Sequence, residues 1–152
     1  MRAAELTLGR RFALVLDPGE ELLGTVARFC AEHGIRQAIV PGFFGAFRDV
    51  ELIATRGPLD DDEAPLQDRV SVAYVEGSGS GSIARRDDGM IVHLHAAVGV
   101  KRTGGEAVAG HVLAATAHYT VELFVDEVLA PVLRQEPKAE SAGLYCLDFA
   151  DA

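Results

Sequence analysis

His93 and His95 stand at alternate positions of the run MIVHLHAA, residues 90–97, in a chain that has five histidines in all. On a β-strand, residues i and i+2 share one face. Ile91, His93, His95 and Ala97 then line one side, and Val92, Leu94, Ala96 and Val98 the other. The second set is an ordinary buried face. The first carries two imidazoles that a purely structural strand does not need. A His-x-His pair on a strand supplies two ligands to one metal ion, and a third normally arrives from another strand. His111 is the candidate. It follows the Gly-rich segment KRTGGEAVAG and opens the next strand, so a hairpin would fold it back beside the pair. Gly104, Gly105 and Gly110 would let that loop approach without side-chain obstruction. Three neutral imidazoles around a divalent ion, zinc above all, leave a fourth position open for water or substrate, as in catalytic zinc sites. Glu122, on the strand after His111, is the candidate hydrogen-bond partner of a liganding histidine, or the general base. The competing expectation is three histidines hydrogen-bonded in a polar cleft without metal.

Other segments carry less chemistry. GSGSGS at 77–82 invites a phosphate-loop reading, but no Lys follows and SIARRDDG leads into a hairpin, so a glycine bulge or tight turn is the expectation. No GxSxG elbow is present. Cys30 and Cys146 lack CxxC spacing and read as buried packing thiols. His33, in the last turn of a helix, reads as a surface or capping residue. His118 shares a strand face with Glu122 and also reads as structural.

Composition bounds the class. The chain of 152 residues is 49% hydrophobic and 24% charged, as expected of a single globular domain, 1–152, with a real core. No apolar run reaches the ~20 residues of a membrane span. Glu5, Arg10 and Arg11 interrupt any signal-peptide core, so a cytoplasmic location is expected. The formal net charge is −9. Phosphate binding draws its affinity from clustered Lys and Arg, whereas Arg10-Arg11, Arg85-Arg86 and Lys101-Arg102 are isolated pairs.

The elements that must position the histidines follow from patterning. DPGEELLGTVARFCAEHG reads as the one long helix, near the N-terminus. Asp17 is its cap, Glu20 a capping-box partner, Leu22, Val26, Phe29 and Cys30 its apolar face, and Gly34 its stop. Most of the rest reads as strand: RFALVL, QAIVPGFFGAF, DVELIAT, RVSVAYVE, GSIARR, MIVHLHAAVGV, HVLAA, AHYTVELFVD and LYCLDF. In AHYTVELFVD, Ala117, Tyr119, Val121, Leu123 and Val125 form one face, with His118, Thr120 and Glu122 opposite. Asp87-Asp88-Gly89 marks a hairpin. EVLAPVLRQE reads as short helix or irregular chain broken by Pro131. DDDEAP at 60–65 and EPKAESAG read as solvated loops. One helix packed on hairpin-linked strands gives an α+β fold with a mainly antiparallel sheet. Apolar residues on both faces of that sheet call for cover beyond one helix, so a stable oligomer is expected.

VHLHAAV, a Gly-rich loop, AGHVLAA and TVELFV occur in the order typical of the PPC domain (plant and prokaryote conserved domain), which the chain resembles. Upstream, AIVPGFFGAFRDVELIA and GSGSGSIARRDDG resemble that family's small-residue segment and its Gly-x-Ile, turn, Asp-Gly stretch. The agreement runs from about Arg11 to Phe149. Ala109 replaces the first Gly of the family's Gly-Gly-His, and Pro41 is unusual where it falls. The resemblance implies a homotrimer with the three histidines near a subunit boundary, and carries a metal site over to His93, His95 and His111. The architecture is also similar to that of acetolactate decarboxylases, which hold zinc with three histidines. Family members often carry a provisional DNA-binding label, because plant relatives join the domain to an AT-hook. No Arg-Gly-Arg-Pro is present here. The expectation is therefore a zinc-binding homotrimer, with metal-dependent small-molecule chemistry open to it. The alternatives are a DNA-associated regulator and an oligomerisation or protein-interaction module.

Overall fold

The computed structural model describes residues 2–54, 68–87 and 89–150. The described elements run β1 (Thr7–Leu16), α1 (Leu22–Glu32), β2 (Ala38–Ala54), β3 (Asp68–Arg86), β4 (Gly89–Val100), β5 (Ala107–Ala130), β6 (Val132–Pro137) and β7 (Tyr145–Ala150). The strand β2 pairs with both β3 and β5, and β4 with both β3 and β5, all antiparallel. These four strands therefore close on themselves as a small barrel. Along the second half of β5 runs β1. A single parallel pair, Arg85 with Arg134, joins β6 to β3, and β7 lies antiparallel on β6.

The inner face is apolar wherever the period-two pattern is apolar. Leu94, Val98, Phe43, Phe47, Val121 and Leu123 are all essentially inaccessible. Helix α1 adds Leu22, Val26 and Cys30 to the same core and packs against β4 and β5. Burial pushes the Cys30 thiol up to about 11, with the Glu127 carboxylate adding to the effect, so this cysteine is an inert packing group. Cys146, expected to be buried as well, is partly exposed.

The mainly antiparallel α+β architecture matches the sequence expectation, but three local readings need correction. The helix is short, 11 residues, and follows a strand. Asp17 and Glu20 do interact reciprocally: Asp17 N–H donates to Glu20 Oε2 at 2.9 Å, and Glu20 N–H to the Asp17 carbonyl at 3.1 Å. That bonding closes a separate turn. The cap is Glu21, whose carboxylate accepts from the N–H groups of Leu23 and Gly24, satisfying donors that the first turn leaves free. Gly34 ends the helix as expected, with φ +66°.

EVLAPVLRQE is strand, not helix. Pairing with β1 carries β5 through to Ala130, and the chain resumes as β6 after Pro131. Buried Gln37 fastens this junction: its Nε2 donates to the Pro131 carbonyl at 2.8 Å, and its Oε1 accepts from Leu133 N–H at 2.9 Å.

GSGSGS is the interior of β3 rather than a turn. Gly77, Gly79 and Gly81 pair with Val98, Ala96 and Leu94, which are buried, so the glycines face inward. Ser78, Ser80 and Ser82 face outward, opposite Ala97, His95 and His93. A Cβ on Gly79 would lie 2.2 Å from the His95 carbonyl and 2.3 Å from the Phe43 ring. The close approach of β3 to β4 over Phe43 leaves room only for hydrogen. The acidic loop at 60–65 and Asp88 lie outside the described residues.

Candidate metal centre

The alternation read from MIVHLHAA is present in the strand. Leu94, Ala96 and Val98 are buried, His93 is half-buried, and His95 and Ala97 are exposed. His111 arrives by the expected hairpin. Gly104 (φ +71°) and Gly105 (φ +93°) turn the chain in the left-handed region, and β5 returns beside β4 so that His111 is the direct cross-strand partner of His95. Directly opposed residues on paired strands have Cβ atoms about 5 Å apart. His93 is the i−2 neighbour of His95 on the same face, so three imidazoles meet.

Their ring centroids lie 5.1 Å (His93 to His95), 4.8 Å (His93 to His111) and 5.4 Å (His95 to His111) apart. One nitrogen of each lies within 4.8 Å of the others. Around a tetrahedral zinc with Zn–N bonds near 2.0–2.1 Å, such nitrogens sit about 3.3 Å apart. Small side-chain rotations close that gap. The donor set fits zinc or another borderline divalent metal: imidazole nitrogens only, on rigid strands, with one exposed side.

Burial lowers the proton affinity of His93 below the usual imidazole range, and His111 and His95 nearby lower it further. His111 is lowered by burial first and by His95 second. Both rings are thus held neutral, the form that ligates metal. The consequence for stability has a definite sign. As pH falls below the ordinary value of 6.5, the unfolded chain takes up protons that the folded rings resist, so folding stability is lost on the acid side.

Gln135 escaped the sequence reading. Its amide lies 3.3 Å from His93 Nδ1, and the residue is only 6% exposed. The signal was present once EVLAPVLRQE is read as strand. Leu133 and Gln135 then share the covered face, while Arg134 and Glu136 point away.

Glu122 is not brought to the histidines of its own chain. It pairs with Phe44 on β2 and Val15 on β1. Phe44 pairs in turn with Ser78, and Ser78 with Ala97 on β4. Three strand spacings of ~4.8 Å put Glu122 roughly 14 Å around the barrel from β4. The carboxylate is exposed, in a concavity shared with Glu76, Tyr119 and Thr120. Tyr119, expected to face inward with Val121, is 60% exposed. The register between β2 and β5 shifts here, since Gly45 pairs with Val121 but Phe47 with Ala117. The extra residues on β5 turn the side chain out. His118 packs edge-on against Tyr74, and His33 accompanies Phe29, with ring centroids 4.2 Å apart. Both lie outside the cluster.

The model of the Plants and Prokaryotes Conserved (PCC) domain matches residues 3–129. The chain belongs to this family. Among solved structures, it is similar to a plant- and prokaryote-conserved (PPC) protein of Pyrococcus horikoshii. The identity there is 23%, coverage is 96% of this chain and 97% of that one, and the TM-score is 0.76. A metal-containing protein of Archaeoglobus fulgidus is 26% identical, with 96% and 98% coverage and a TM-score of 0.74. A protein of Ralstonia eutropha with a provisional DNA-binding description is 20% identical, with 91% and 90% coverage and a TM-score of 0.73. No curated protein matches the sequence. Among the described residues of this PCC domain, no helix is long and apolar enough to cross a membrane.

Proposed function

We propose that this PCC-domain protein is a cytoplasmic homotrimer that binds one zinc ion per chain through His93, His95 and His111. The convergence of three imidazoles on one face of two paired strands is the observation that carries the proposal. The metal-containing description of the Archaeoglobus relative supports it. Zinc held by three protein ligands would supply a Lewis acid and an activated water at its open position. The chain's own part is to hold three imidazoles on two rigid strands and to keep the half-buried His93 and His111 rings unprotonated. A small molecule able to reach the exposed side of His95 is the substrate class this permits.

Association of chains is supported by the outer face of the barrel, and the number three by the family resemblance. Val15 (62% exposed), Phe44 (47%) and Phe124 (41%) lie on adjacent strands there, an apolar surface of the kind oligomers cover. Metal analysis and light scattering on the purified protein test both parts. Near-stoichiometric zinc after loading, in a particle three times the 16.2 kDa chain mass, is the expected result. A metal-free monomer after zinc loading would overturn it.

A second reading, DNA association, is favoured only by the description given to relatives such as the Ralstonia protein. Charge opposes it. Three chains at −9 each carry about −27, which repels phosphate at long range. Duplex DNA is therefore expected to bind no tighter than micromolar at ~0.15 M salt, as read by a fluorescence anisotropy titration. Sub-micromolar binding that weakens steeply with added salt would reverse the ranking.

A further inference from the structure

We propose that Gln135 is a positioning residue that decides which nitrogen of His93 meets the metal, an inference that rests on the zinc reading above. Gln135 is one of the two buried polar side chains among the described residues, the other being Gln37. Gln37 fixes the start of β6 by bonding to Pro131 and Leu133. Two residues further along the same covered face, the Gln135 amide nitrogen Nε2 lies 3.3 Å from His93 Nδ1, and exchanging the amide nitrogen and oxygen would place Oε1 there instead. Its position is thus set by the strand, and its amide has His93 as its hydrogen-bond partner.

A neutral imidazole has one N–H and one lone pair, and an amide has one donor end and one acceptor end. Only two pairings are possible. If the amide N–H donates to Nδ1, the ring proton sits on Nε2 and that nitrogen cannot ligate. If the amide is turned by half a turn, Oε1 accepts from Nδ1–H at the same separation, and Nε2 presents its lone pair to the metal. The two amide ends are equivalent in shape, so chemistry decides between them. Zinc bound at Nε2 requires the second pairing, and Gln135 in that orientation supports zinc before it arrives. Metal-ligating histidines are commonly held by such an acceptor on the other ring nitrogen, and losing it lowers metal affinity 10–100-fold. His95 and His111 have no side-chain hydrogen-bond partner of this kind among the described residues.

The test uses two variants and two readouts. Long-range nitrogen–proton NMR on the metal-free protein should find the His93 proton on Nδ1 in wild type. Gln135→Leu should release it, moving His93 toward the Nε2–H form preferred in water, and zinc affinity by chelator competition should fall about tenfold. Gln135→Glu, which can only accept, should keep Nδ1–H and hold zinc affinity within about threefold of wild type or above it. A purely structural Gln135 would weaken zinc in both variants and leave the tautomer unmoved. That pattern, or Nε2–H at His93 in metal-free wild type, would overturn the assignment. If wild type takes up no zinc at all, the metal reading fails, while the tautomer in the metal-free protein still judges the role of Gln135.

Discussion

On the proposed zinc reading, replacing His93 and His95 together with alanine is expected to abolish zinc binding and leave the fold intact. Removing two of three ligands leaves only the His111 imidazole, and single-histidine affinity for zinc is far too weak to survive dialysis. The fold is expected to remain because neither ring is part of the core: His95 is exposed, His93 half-buried, and the opposite face of β4 carries Leu94, Ala96 and Val98. The exposed His95 should contribute no more than ~0.5 kcal/mol. Loss of His93 leaves the buried Gln135 amide without its partner, a cost of about 1–3 kcal/mol that lowers the thermal midpoint without unfolding the chain. Plasma emission should read near-stoichiometric zinc in wild type and a background level in the double variant. Circular dichroism and light scattering should be unchanged. Acidification should mimic the substitution in wild type, since zinc binding competes with protonation of the same nitrogens. Retained zinc in the double variant would mean that the metal is held elsewhere.

Gly79→Val should prevent stable folding, whereas Ser80→Ala one position along should be nearly silent. Even the first carbon of a side chain at Gly79 would sit 2.2 Å from the His95 carbonyl and 2.3 Å from Phe43. Phe43 is fully buried, so neither neighbour can yield without opening the β3–β4 ladder. Overpacking a filled core costs about 1–3 kcal/mol, and more when backbone must separate. For a chain of this size each kcal/mol lowers the thermal midpoint by about 2–4 °C, so a drop of roughly 10 °C or insoluble expression is the expected outcome. Ser80 points outward and is exposed; its replacement should shift stability by no more than ~0.5 kcal/mol. Comparable midpoints for the two variants would contradict the inward placement of the glycines. Because pairing with β3 holds β4 in register, and β4 carries both His93 and His95, Gly79→Val should also lose any zinc uptake along with folding.

The sequence by itself determined the faces of β4 and which three histidines would gather. Period-two alternation is a local property, so MIVHLHAA announced which side of β4 is buried, and the Gly-rich loop before His111 announced a return beside it. The tertiary structure decided what alternation cannot carry. Helix length was set by Glu21 capping one turn later than Asp17, a choice between two carboxylates that differ only in the geometry of the preceding turn. GSGSGS read as a turn because glycine weakens strands in isolation, yet the barrel demands it where β3 crosses Phe43. EVLAPVLRQE gained its strand character from pairing with β1, β3 and β7, partners distant in sequence. That pairing also brought Gln135 to His93 across 42 positions. Within its own chain Glu122 does not lie beside His111, for the converse reason. Both residues belong to one extended strand of 24 residues, and residues many positions apart along an extended strand cannot meet.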